Sequence, residues 1–574
     1  MKSRRLLLLL GCLVAIVLVA VLAACGEDES ATSAGPATSA GPATSAGPAT
    51  SSGPATSAGP ATTAAAEVPR SILGCPQGPP SQGTPQYGGT LVVLHRQVPS
   101  NIGAFWGTTG FADVQHCRYA LENLVGLDEQ GEPCPQLATS WDVDEAAKTL
   151  TFHLREGVKF QDGTDFNAEA VKWNLGNWQD RTKSTKHDLD AVTAIDVLDP
   201  YTVRLTFSEY DPRFVQSLSS SSAGKMVSPT AYEAMGEKEF ALHPVGTGPF
   251  KFESYEPDVS LKFTKFEDYW QEGLPYLDAV EVRFIADPMV ALTAFKNGEG
   301  HVLYDVSASA AQELAAAGNT IDNRVQAIWA ISGDTGSPEC PYSKQEVREG
   351  IAYALDMPTI VNGVYSGFMP VTNQLAIEGM MAYNPDIVGH PYDVEKAKQL
   401  LSKNGITPET PWDTILSYVA GQSEDELFTI MQEYLAEVGV NITLNPLQFP
   451  AFKQKNSQGF KNELIVLGLS YNPLEMRYST TLKANLSEDA TAFVDIKTPE
   501  EFNIVYRQML AASDPVEIER LYEELNKMAV DDFCLCAPFM GKYGLIAKAP
   551  QVHDFGLCTV VTAEFLPERA WLSE

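Results

Sequence analysis

The sequence has few basic residues for its length. Its 574 residues include 40 Lys and Arg against 73 Asp and Glu, which gives a formal net charge of −33. Binding to a phosphate backbone requires a basic face, and docking on anionic lipid by charge requires a basic cluster. The composition therefore argues against nucleic acid as a partner and predicts a solvated acidic surface. An electronegative site for a cationic ligand is the alternative.

Short catalytic motifs are also missing. The sequence has no Gly-x-Ser-x-Gly elbow, no His-Glu-x-x-His, no P-loop and no Gly-x-Gly-x-x-Gly after a strand. Its 8 histidines are scattered without the spacing of metal ligands. We therefore expect no catalytic residues, no metal and no cofactor, with the reservation that a triad assembles from distant positions.

A single apolar run, from Leu6 to Leu22, approaches the length of a membrane span. Basic residues precede it, and it ends in Leu22-Ala23-Ala24-Cys25. This ending is similar to a bacterial lipobox, which implies a signal peptide at 1–24 and a lipid on the Cys25 sulfur. We therefore expect a protein anchored by lipid on the extracytoplasmic face of the cell envelope. An uncleaved anchor helix is the alternative.

A repetitive segment follows the apolar run. Residues Ala31 to Pro60 consist of the hexad Ala-Thr-Ser-Ala-Gly-Pro repeated without interruption, with Ser52 replacing one Ala. The hexad has no large apolar side chain to bury, and its period is too short for a solenoid. Residues 25–86 are therefore predicted to be a low-complexity linker, leaving 87–574 as the globular body. That body is too long for a single hydrophobic core.

The cysteine count fits an exported protein. Of the 9 cysteines, Cys12 lies in the signal segment and Cys25 at the lipid site, which leaves seven, an odd number, in the rest of the chain: Cys75, Cys117, Cys134, Cys340, Cys534, Cys536 and Cys558. Up to three disulfides and one free thiol are possible, and the pairing cannot be read from the sequence. The motif Cys534-Leu535-Cys536 is predicted to place two sulfurs on one face of a strand, as a disulfide or as buried thiols rather than a metal site.

Helix start signals indicate mixed α/β units. Asp393 is predicted to cap a helix, Asp514 caps another that begins with Pro515, and Ser343 with Glu346 forms a capping box for a third. Strand patterns lie between such helices, as at 440–444 after the helix that Gly439 ends.

Seven ordered segments cover nearly all of the body: Tyr87 to Val93, Asn123 to Leu127, Pro135 to Trp141, Thr151 to Thr164, Val245 to Phe250, Val347 to Asp356, and Tyr392-Asp393. Their sequences and order resemble the family 5 bacterial solute-binding proteins, the receptors of peptide-type ABC importers. The resemblance implies an α/β, two-lobed periplasmic-binding-protein-like (Venus flytrap) fold with an inserted third subdomain. Lobe one would comprise 87–120, 243–325 and 540–574, the inserted subdomain 121–242, and lobe two 326–539.

The resemblance also implies a function. We expect a monomeric substrate-binding lipoprotein that captures a peptide or peptide-like small solute and delivers it to an ABC permease with its ATPase subunits. The alternatives are the same scaffold binding an oligosaccharide or another neutral solute, a signalling receptor, and a secreted enzyme.

Ligand contacts are implied by the same resemblance. In peptide-binding members, the stretch corresponding to 110–114 supplies backbone hydrogen bonds, so Phe111, Ala112 and Asp113 are candidates. In the lobe-two stretch 464–473, those members carry an aromatic residue and then an acid that pairs with the peptide's amine. Here Leu467 stands at the aromatic position and Ser470 at the acidic one, with Leu469 and Tyr471 beside them.

The missing acid changes the expected ligand. A serine hydroxyl does not neutralise an ammonium group, and an unpaired buried charge is costly. Neutral or N-acetylated ligands should therefore bind at least as well as free-amine peptides, unless Asp113 or Glu475 supplies the carboxylate. Trp106, Phe111 and Trp329 are aromatic candidates for the cleft, with core packing as the alternative for each.

Overall fold

The computed structural model describes residues 83–103, 111–127, 133–181, 188–210, 214–378, 383–420, 424–470, 493–512, 514–555 and 567–573. The predicted signal peptide, Cys25 and the hexad linker lie outside these ranges. Within them, no helix combines the length and apolar character needed to cross a membrane.

The strands are mostly short, and two long ones stand out near the middle and the end of the chain. They are β1 (Thr90–His95), β2 (Glu122–Asn123), β3 (Val125–Leu127), β4 (Pro133–Pro135), β5 (Ala138–Asp144), β6 (Thr149–Leu154), β7 (Val192–Asp199), β8 (Thr202–Phe207), β9 (Lys225–Met226), β10 (Phe250–Glu256), β11 (Ser260–Lys265), β12 (Ala279–Phe284), β13 (Val302–Leu303), β14 (Thr320–Gly333), β15 (Trp412–Val419), β16 (Val440–Leu447), β17 (Leu464–Ser470), β18 (Ala537–Lys548), β19 (Val552–His553) and β20 (Trp571–Leu572).

The helices lie between the strands along the chain. They are α1 (Phe111–Cys117), α2 (Ala168–Arg181), α3 (Phe214–Ser220), α4 (Pro229–Met235), α5 (Glu237–Phe240), α6 (Pro288–Lys296), α7 (Ala308–Ala316), α8 (Gln345–Tyr353), α9 (Met357–Tyr365), α10 (Val394–Ser402), α11 (Glu424–Glu437), α12 (Phe449–Gln458), α13 (Glu500–Ala511) and α14 (Pro515–Lys527).

The largest sheet has ten strands in the order β10-β11-β12-β1-β13-β18-β14-β17-β15-β16. Strands β14 and β18 pair antiparallel from Thr320–Lys548 to Ile331–Ala537. The N-terminal end of β14 and the C-terminal end of β18 lie in the half of the sheet with β1 and β13, whereas β17 pairs with 327–333 of β14. These two strands therefore connect the two halves of the sheet, and the β14 register shifts between Val325 and Ala327.

Both faces of the large sheet are covered, as expected for strands that are buried on each side. Alternate residues of β1 enter different cores: Leu91 and Val93 pack in one cluster, whereas Val92 and Leu94 pack in another. A third cluster joins alternate residues of β17 to α13 and α14. The sheet is thus the middle layer of an α/β architecture.

A separate antiparallel sheet, β5-β6-β8-β7, forms within the range predicted as the inserted subdomain. Strand β6 alternates half-buried and buried residues, the pattern of a sheet with one face on a core. Helix α2 supplies that cover, and Asn167 caps it by accepting a hydrogen bond from the Ala170 amide at 3.0 Å.

Two of the predicted helix caps are confirmed and one is wrong. Asp393 accepts from the Lys396 amide at 2.9 Å, and Asp514 accepts from the Val516 amide at 3.0 Å. Ser343 instead ends a short 3₁₀ turn, and α8 begins after Lys344 without a side-chain cap. Because the 3₁₀ turn Pro341–Ser343 includes Ser343, the helix begins only at Gln345 and Ser343 does not cap it.

The cysteines follow one expected alternative, because Cys534 and Cys536 are buried thiols, and they limit the number of disulfides. Cys134 is disulfide-bonded, whereas Cys117, Cys340, Cys534 and Cys536 are buried free thiols. Four free thiols exclude the three disulfides that the count allowed. The predicted strand at 534–536 is also wrong, because Cys534 has φ 45° and β18 begins only at Ala537. Burial raises the pKa of the Cys534 thiol to about 12, so it stays protonated and unreactive.

Candidate ligand-binding site

A cavity of about 460 Å³ lies against the middle of β18. Its lining comes from both halves of the large sheet: Arg96, Pro288, Met289, Ala291, Leu292, Leu303, Tyr304, Asp305, Val306, Ser307, Ala308, Ala310, Tyr365, Met369, Asp425, Lys542, Tyr543, Gly544 and Leu545. Arg96 follows β1, Tyr304 follows β13, and Asp425 follows β15. The cavity therefore opens at the carboxyl ends of these strands, the usual ligand position in α/β sheets.

One wall of the cavity carries an ammonium group. Only 8% of Lys542 is exposed, and its Nζ lies 5.3 Å from the ring centroid of Trp329 and 5.6 Å from that of Tyr365. Both distances lie within the range of cation–π attraction. The two rings therefore hold the charge at the cavity wall.

Carboxylates also line the cavity. Asp425, in the first turn of α11, accepts a hydrogen bond from the Tyr418 hydroxyl at 2.6 Å. Asp305 lies directly after Tyr304 with a left-handed φ of 56°. Together with Arg96 and Lys542, these residues give the described lining two positive and two negative side chains.

Helix α1 lies behind the wall that Tyr304 forms. The Tyr304 ring lies 5.1 Å from that of His95, and His95 Nε2 is 3.0 Å from Oε1 of Gln115 in α1. His116 packs edge-on against His95 at 4.8 Å. Burial, followed by the proximity of His95, lowers the pKa of His116 well below its usual value, so this imidazole is neutral at pH 7.

The sequence analysis placed Trp329 either in the cleft or in the core, and its contacts have features of both. Its half-buried ring stacks on Phe428 at 6.2 Å with an interplanar angle of 9°, while Lys542 lies over the ring. It pairs in register with Gly468 of β17, where an added Cβ would lie 3.6 Å from the indole Nε1. Trp329 therefore supports the cavity wall from behind.

The lobe-two candidates lie on the strand next to Trp329. The side chains of Leu467 and Leu469 are buried in the core shared with α13 and α14, so a ligand in the cavity would not contact them. Ser470 is the last residue of β17 and pairs in register with Ala327. Tyr471 and Glu475 lie outside the described residues, and the ligand role of this stretch stays a prediction.

The lobe-one candidates lie in and before α1. Asp113 is buried, and its carboxylate accepts from the Ser100 amide at 2.6 Å and the Asn101 amide at 3.1 Å. It therefore fixes the turn that follows β1, which leaves it poorly placed to neutralise a ligand amine. Phe111 and Ala112 form the first turn of α1, and Trp106 lies outside the described residues.

The sequence reasoning did not single out Lys542, Tyr365 or Asp425. One signal was available, because Lys542 interrupts the otherwise apolar run from Ala537 to Ala547. Among the described residues, no cluster of three His, Cys, Asp or Glu side chains could hold a metal ion.

Comparisons with known proteins agree with this architecture. The family model of the bacterial extracellular solute-binding proteins, family 5 Middle, matches residues 132–486. The glutathione-binding protein GsiB of Shigella flexneri serotype 5b (strain 8401) is 30% identical over 414 residues, which span 70% of this chain and 79% of that protein.

Solved structures share the fold. NikA from Brucella suis, in complex with Fe(III)-EDTA, superposes with a TM-score of 0.75 at 20% identity, covering 84% of this chain and 100% of NikA. DppA from Helicobacter pylori, in complex with the peptide STSA, superposes with a TM-score of 0.70 at 22% identity, covering 85% of this chain and 99% of DppA. The predicted two-lobed α/β fold with an inserted subdomain is thus confirmed. The extent of the family model and the GsiB match together place the chain among the family 5 bacterial extracellular solute-binding proteins.

Proposed function

We propose that the protein captures a peptide or peptide-like small solute outside the cytoplasm and delivers it to the permease of an ABC importer. The observation that carries this proposal is the 460 Å³ cavity, whose lining joins the half of the sheet that contains β1 to the half that contains β15. Pockets of this size suit small ligands. The GsiB relative is named for binding glutathione and the DppA neighbour was solved with a peptide.

The lobes would be the two halves of the large sheet. On this proposal, 87–120, 243–325 and 540–574 form lobe one, 326–539 lobe two, and 121–242 the inserted subdomain. Strands β14 and β18 would be the hinge, because β18 pairs with β13 of one half, β14 pairs with β17 of the other, and the two pair with each other. The β14 register shift between Val325 and Ala327 supports a bend there, since bulges locally twist a strand.

Ligand capture should close the lobes. A ligand that contacts both halves of the lining favours the closed state over the open one. Small-angle scattering of the chain from residue 67 onward should therefore give a smaller radius of gyration with a bound di- or tripeptide or glutathione. Free amino acids that do not bind serve as the control. An unchanged radius at saturating ligand would contradict closure by ligand, and a body that binds no peptide would contradict the proposed function.

We also propose that Cys25 carries a lipid that anchors the protein, with residues 25–86 as the tether. The motif Leu22-Ala23-Ala24-Cys25 and the hexads after it support this anchor. A random coil of about 60 residues spans about 40–50 Å on average, a length that would suit such a tether.

The anchor predicts the behaviour of Cys25→Ser. Without its thiol, the residue cannot accept a lipid, so the variant should leave the membrane fraction and appear in the soluble fraction. Membrane fractionation with metabolic fatty-acid labelling measures both changes, and Cys12→Ser, inside the apolar run, is the control that should stay lipidated. A Cys25→Ser protein that remains in the membrane at unaltered mass would instead indicate an uncleaved anchor helix.

A further inference from the structure

Another cavity, of about 250 Å³, lies entirely within the range proposed as lobe two. All of its lining residues fall between Ile331 and Phe539, and they come from the junction of α8 and α9, the segments 371–373 and 388–392, and the first residues of β18. It shares no residue with the lining of the 460 Å³ cavity. A ligand bound here would therefore not need to bridge the two halves of the sheet.

The walls of this smaller cavity are mainly apolar. Ile331, Leu355 and Phe539 are buried side chains from β14, the α8–α9 junction and β18. A water molecule takes up about 30 Å³ of the liquid, so the cavity has room for about eight groups of that size. Apolar walls with a few polar groups are typical of small-molecule sites. The cavity therefore fits a molecule with a short apolar body.

Three polar side chains in the lining can accept hydrogen bonds from a ligand. The half-buried Asp356 accepts from the Thr359 amide through Oδ1 at 3.2 Å, which leaves Oδ2 as an acceptor. Asn373 donates through Nδ2 to two backbone carbonyl oxygens at 3.1 and 2.9 Å, which leaves its Oδ1 as an acceptor. The imidazole of His390 has no hydrogen-bond partner in the part of the chain that the structure describes.

The surroundings of His390 keep its ring neutral. Burial is the main cause that lowers its pKa, and Lys396 acts in the same direction, whereas the carboxylates of Glu349 and Asp531 oppose them. A neutral imidazole has one nitrogen that accepts a hydrogen bond. The ring also packs edge-on against Tyr353, with the centroids 4.9 Å apart.

The backbone donors at the start of α9 are already used. The Met357 amide donates to the Leu355 carbonyl oxygen at 2.9 Å, and the residue after Met357 is a proline. The Thr359 amide donates to Asp356. The Thr372 hydroxyl donates to a backbone carbonyl oxygen at 2.7 Å, and the described lining contains no lysine or arginine. The cavity therefore presents acceptors and one negative charge, which favours a cation over an anion.

We propose that this cavity is a further ligand site, which binds a small primary ammonium compound with an apolar body and pairs its ammonium group with Asp356. A primary ammonium group has three donors, and Asp356, Asn373 and His390 supply acceptors for them. The bond to the carboxylate is charge-assisted and would be the strongest of the three. This inference goes beyond the proposed function, because the ligand need not be the transported solute.

The test compares amines with alcohols of the same carbon skeleton. Isothermal titration calorimetry on the full-length protein in detergent at pH 7 uses 3-methylbutylamine and 2-phenylethylamine, each beside its alcohol, with detergent alone as the blank. Both amines are ammonium ions at this pH, as lysine is. The amine that binds more tightly should bind about 10- to 100-fold more tightly than its alcohol, because the alcohol lacks the charge-assisted hydrogen bond.

Three variants make the result specific. Asp356→Asn removes the charge but keeps a side chain that caps helices well, so it should fold and lose the preference for the amine. Ala537→Leu adds apolar volume to the lining and should weaken the binding of amine and alcohol alike. Asp514→Asn is the matched control, because Asp514 also caps a helix but lies outside the lining. It should bind like the wild type.

Four outcomes would overturn this proposal. They are failure of both amines to bind the wild type, equal affinity for amine and alcohol, a preference for the amine that survives in Asp356→Asn, and unchanged binding in Ala537→Leu. Equal losses in Asp356→Asn and Asp514→Asn would indicate a general effect of net charge and would overturn it as well. Peptide binding is measured on the same samples and should be unchanged in Asp356→Asn, so a failure of the proposed function would be seen separately.

Discussion

Replacing Arg348 with Met is expected to lower the free energy of unfolding by about 3–5 kcal/mol, because several buried carbonyl oxygens lose their donor at a cost of about 1–3 kcal/mol each. Arg348 lies in α8 and is buried. Its guanidinium donates to the carbonyl oxygens of Tyr342, Ser343, Phe533 and Cys534 at 2.7–3.3 Å. Methionine fills part of the space but donates nothing, which leaves buried acceptors without a partner.

The same contacts connect α8 to the approach to the cavity. Phe533 and Cys534 precede β18, so Arg348 fixes the chain where it enters the strand that carries Lys542. The left-handed φ of 45° at Cys534 is held by this network. Arg348→Met should therefore also weaken ligand binding, although Arg348 does not line the cavity.

Denaturant unfolding, monitored by tryptophan fluorescence, measures the loss of unfolding free energy in Arg348→Met. Arg520→Met is the matched control, because Arg520 is exposed on α14 and its ion pairs with Glu517 and Glu524 are both 2.8 Å and surface-exposed. Such pairs contribute at most about 1 kcal/mol. Equal losses in the two variants would contradict a structural role of the buried guanidinium. The stability of Arg348→Lys should lie between those of the wild type and Arg348→Met. A lysine ammonium lacks the planar fork with which the guanidinium donates to both segments at once.

Local signals in the sequence predicted local structure well. The carboxylates of Asp393 and Asp514 accept amide hydrogen bonds where the caps were expected, because a cap depends on only a few neighbouring residues. The Ser343 prediction is wrong for a related reason: Ser343 belongs to the preceding 3₁₀ turn, and the carbonyl oxygens of that turn bind Arg348. Arg348 also donates to the carbonyl oxygens of Phe533 and Cys534, which lie 185 and 186 positions away along the chain. A local pattern does not show such a contact.

The cavity was harder to predict because distant segments form it. Tyr365, Asp425 and Lys542 come from α9, α11 and β18, and no spacing rule relates them. The family resemblance implied ligand contacts on β17, but the side chains of Leu467 and Leu469 pack in the core. The pairing of β14 with β18 brings Lys542 beside Trp329, and that pairing depends on the whole sheet.

Raising the pH from 5 to 8 is expected to destabilise the wild type relative to Glu122→Gln by about 2.5 kcal/mol. Glu122 is a buried carboxyl group on β2. Burial raises its pKa to about 7, against the opposing effect of its hydrogen bonds. Trp270 Nε1, the Thr247 hydroxyl and the Tyr269 hydroxyl donate to it at 2.9, 2.7 and 2.8 Å.

The sign follows from proton binding. Between the ordinary glutamate pKa and about 7, the folded protein holds the Glu122 proton more tightly than the unfolded chain does. Stability falls with pH wherever the folded state binds more protons. The loss from this group therefore develops between about pH 4.5 and 7 and is complete above that range. Glutamine stays neutral, so its variant lacks this component of the pH dependence.

The network joins two segments of the body that are distant in sequence. Thr247 belongs to the turn Gly246-Thr247-Gly248, and a Cβ at Gly248 would lie 2.6 Å from the Ala120 carbonyl carbon. This close approach brings the Thr247 hydroxyl to Glu122, at the proposed boundary between lobe one and the inserted subdomain. Ionisation of Glu122 should therefore loosen that boundary first, which hydrogen exchange of β2 and β9 at pH 5 and 8 would detect.

Glu281→Gln provides the control. Glu281 lies on β12, where its hydrogen bond from Arg283 holds the pKa of the carboxyl below its usual value. Its contribution is present above the ordinary glutamate pKa and is lost only as the pH falls through the lower folded value. The stability difference between Glu281→Gln and the wild type should thus stay constant from pH 5 to 8. A constant difference for Glu122→Gln over the same range would mean that Glu122 is already ionised in the folded protein at pH 5, with its three donors outweighing burial.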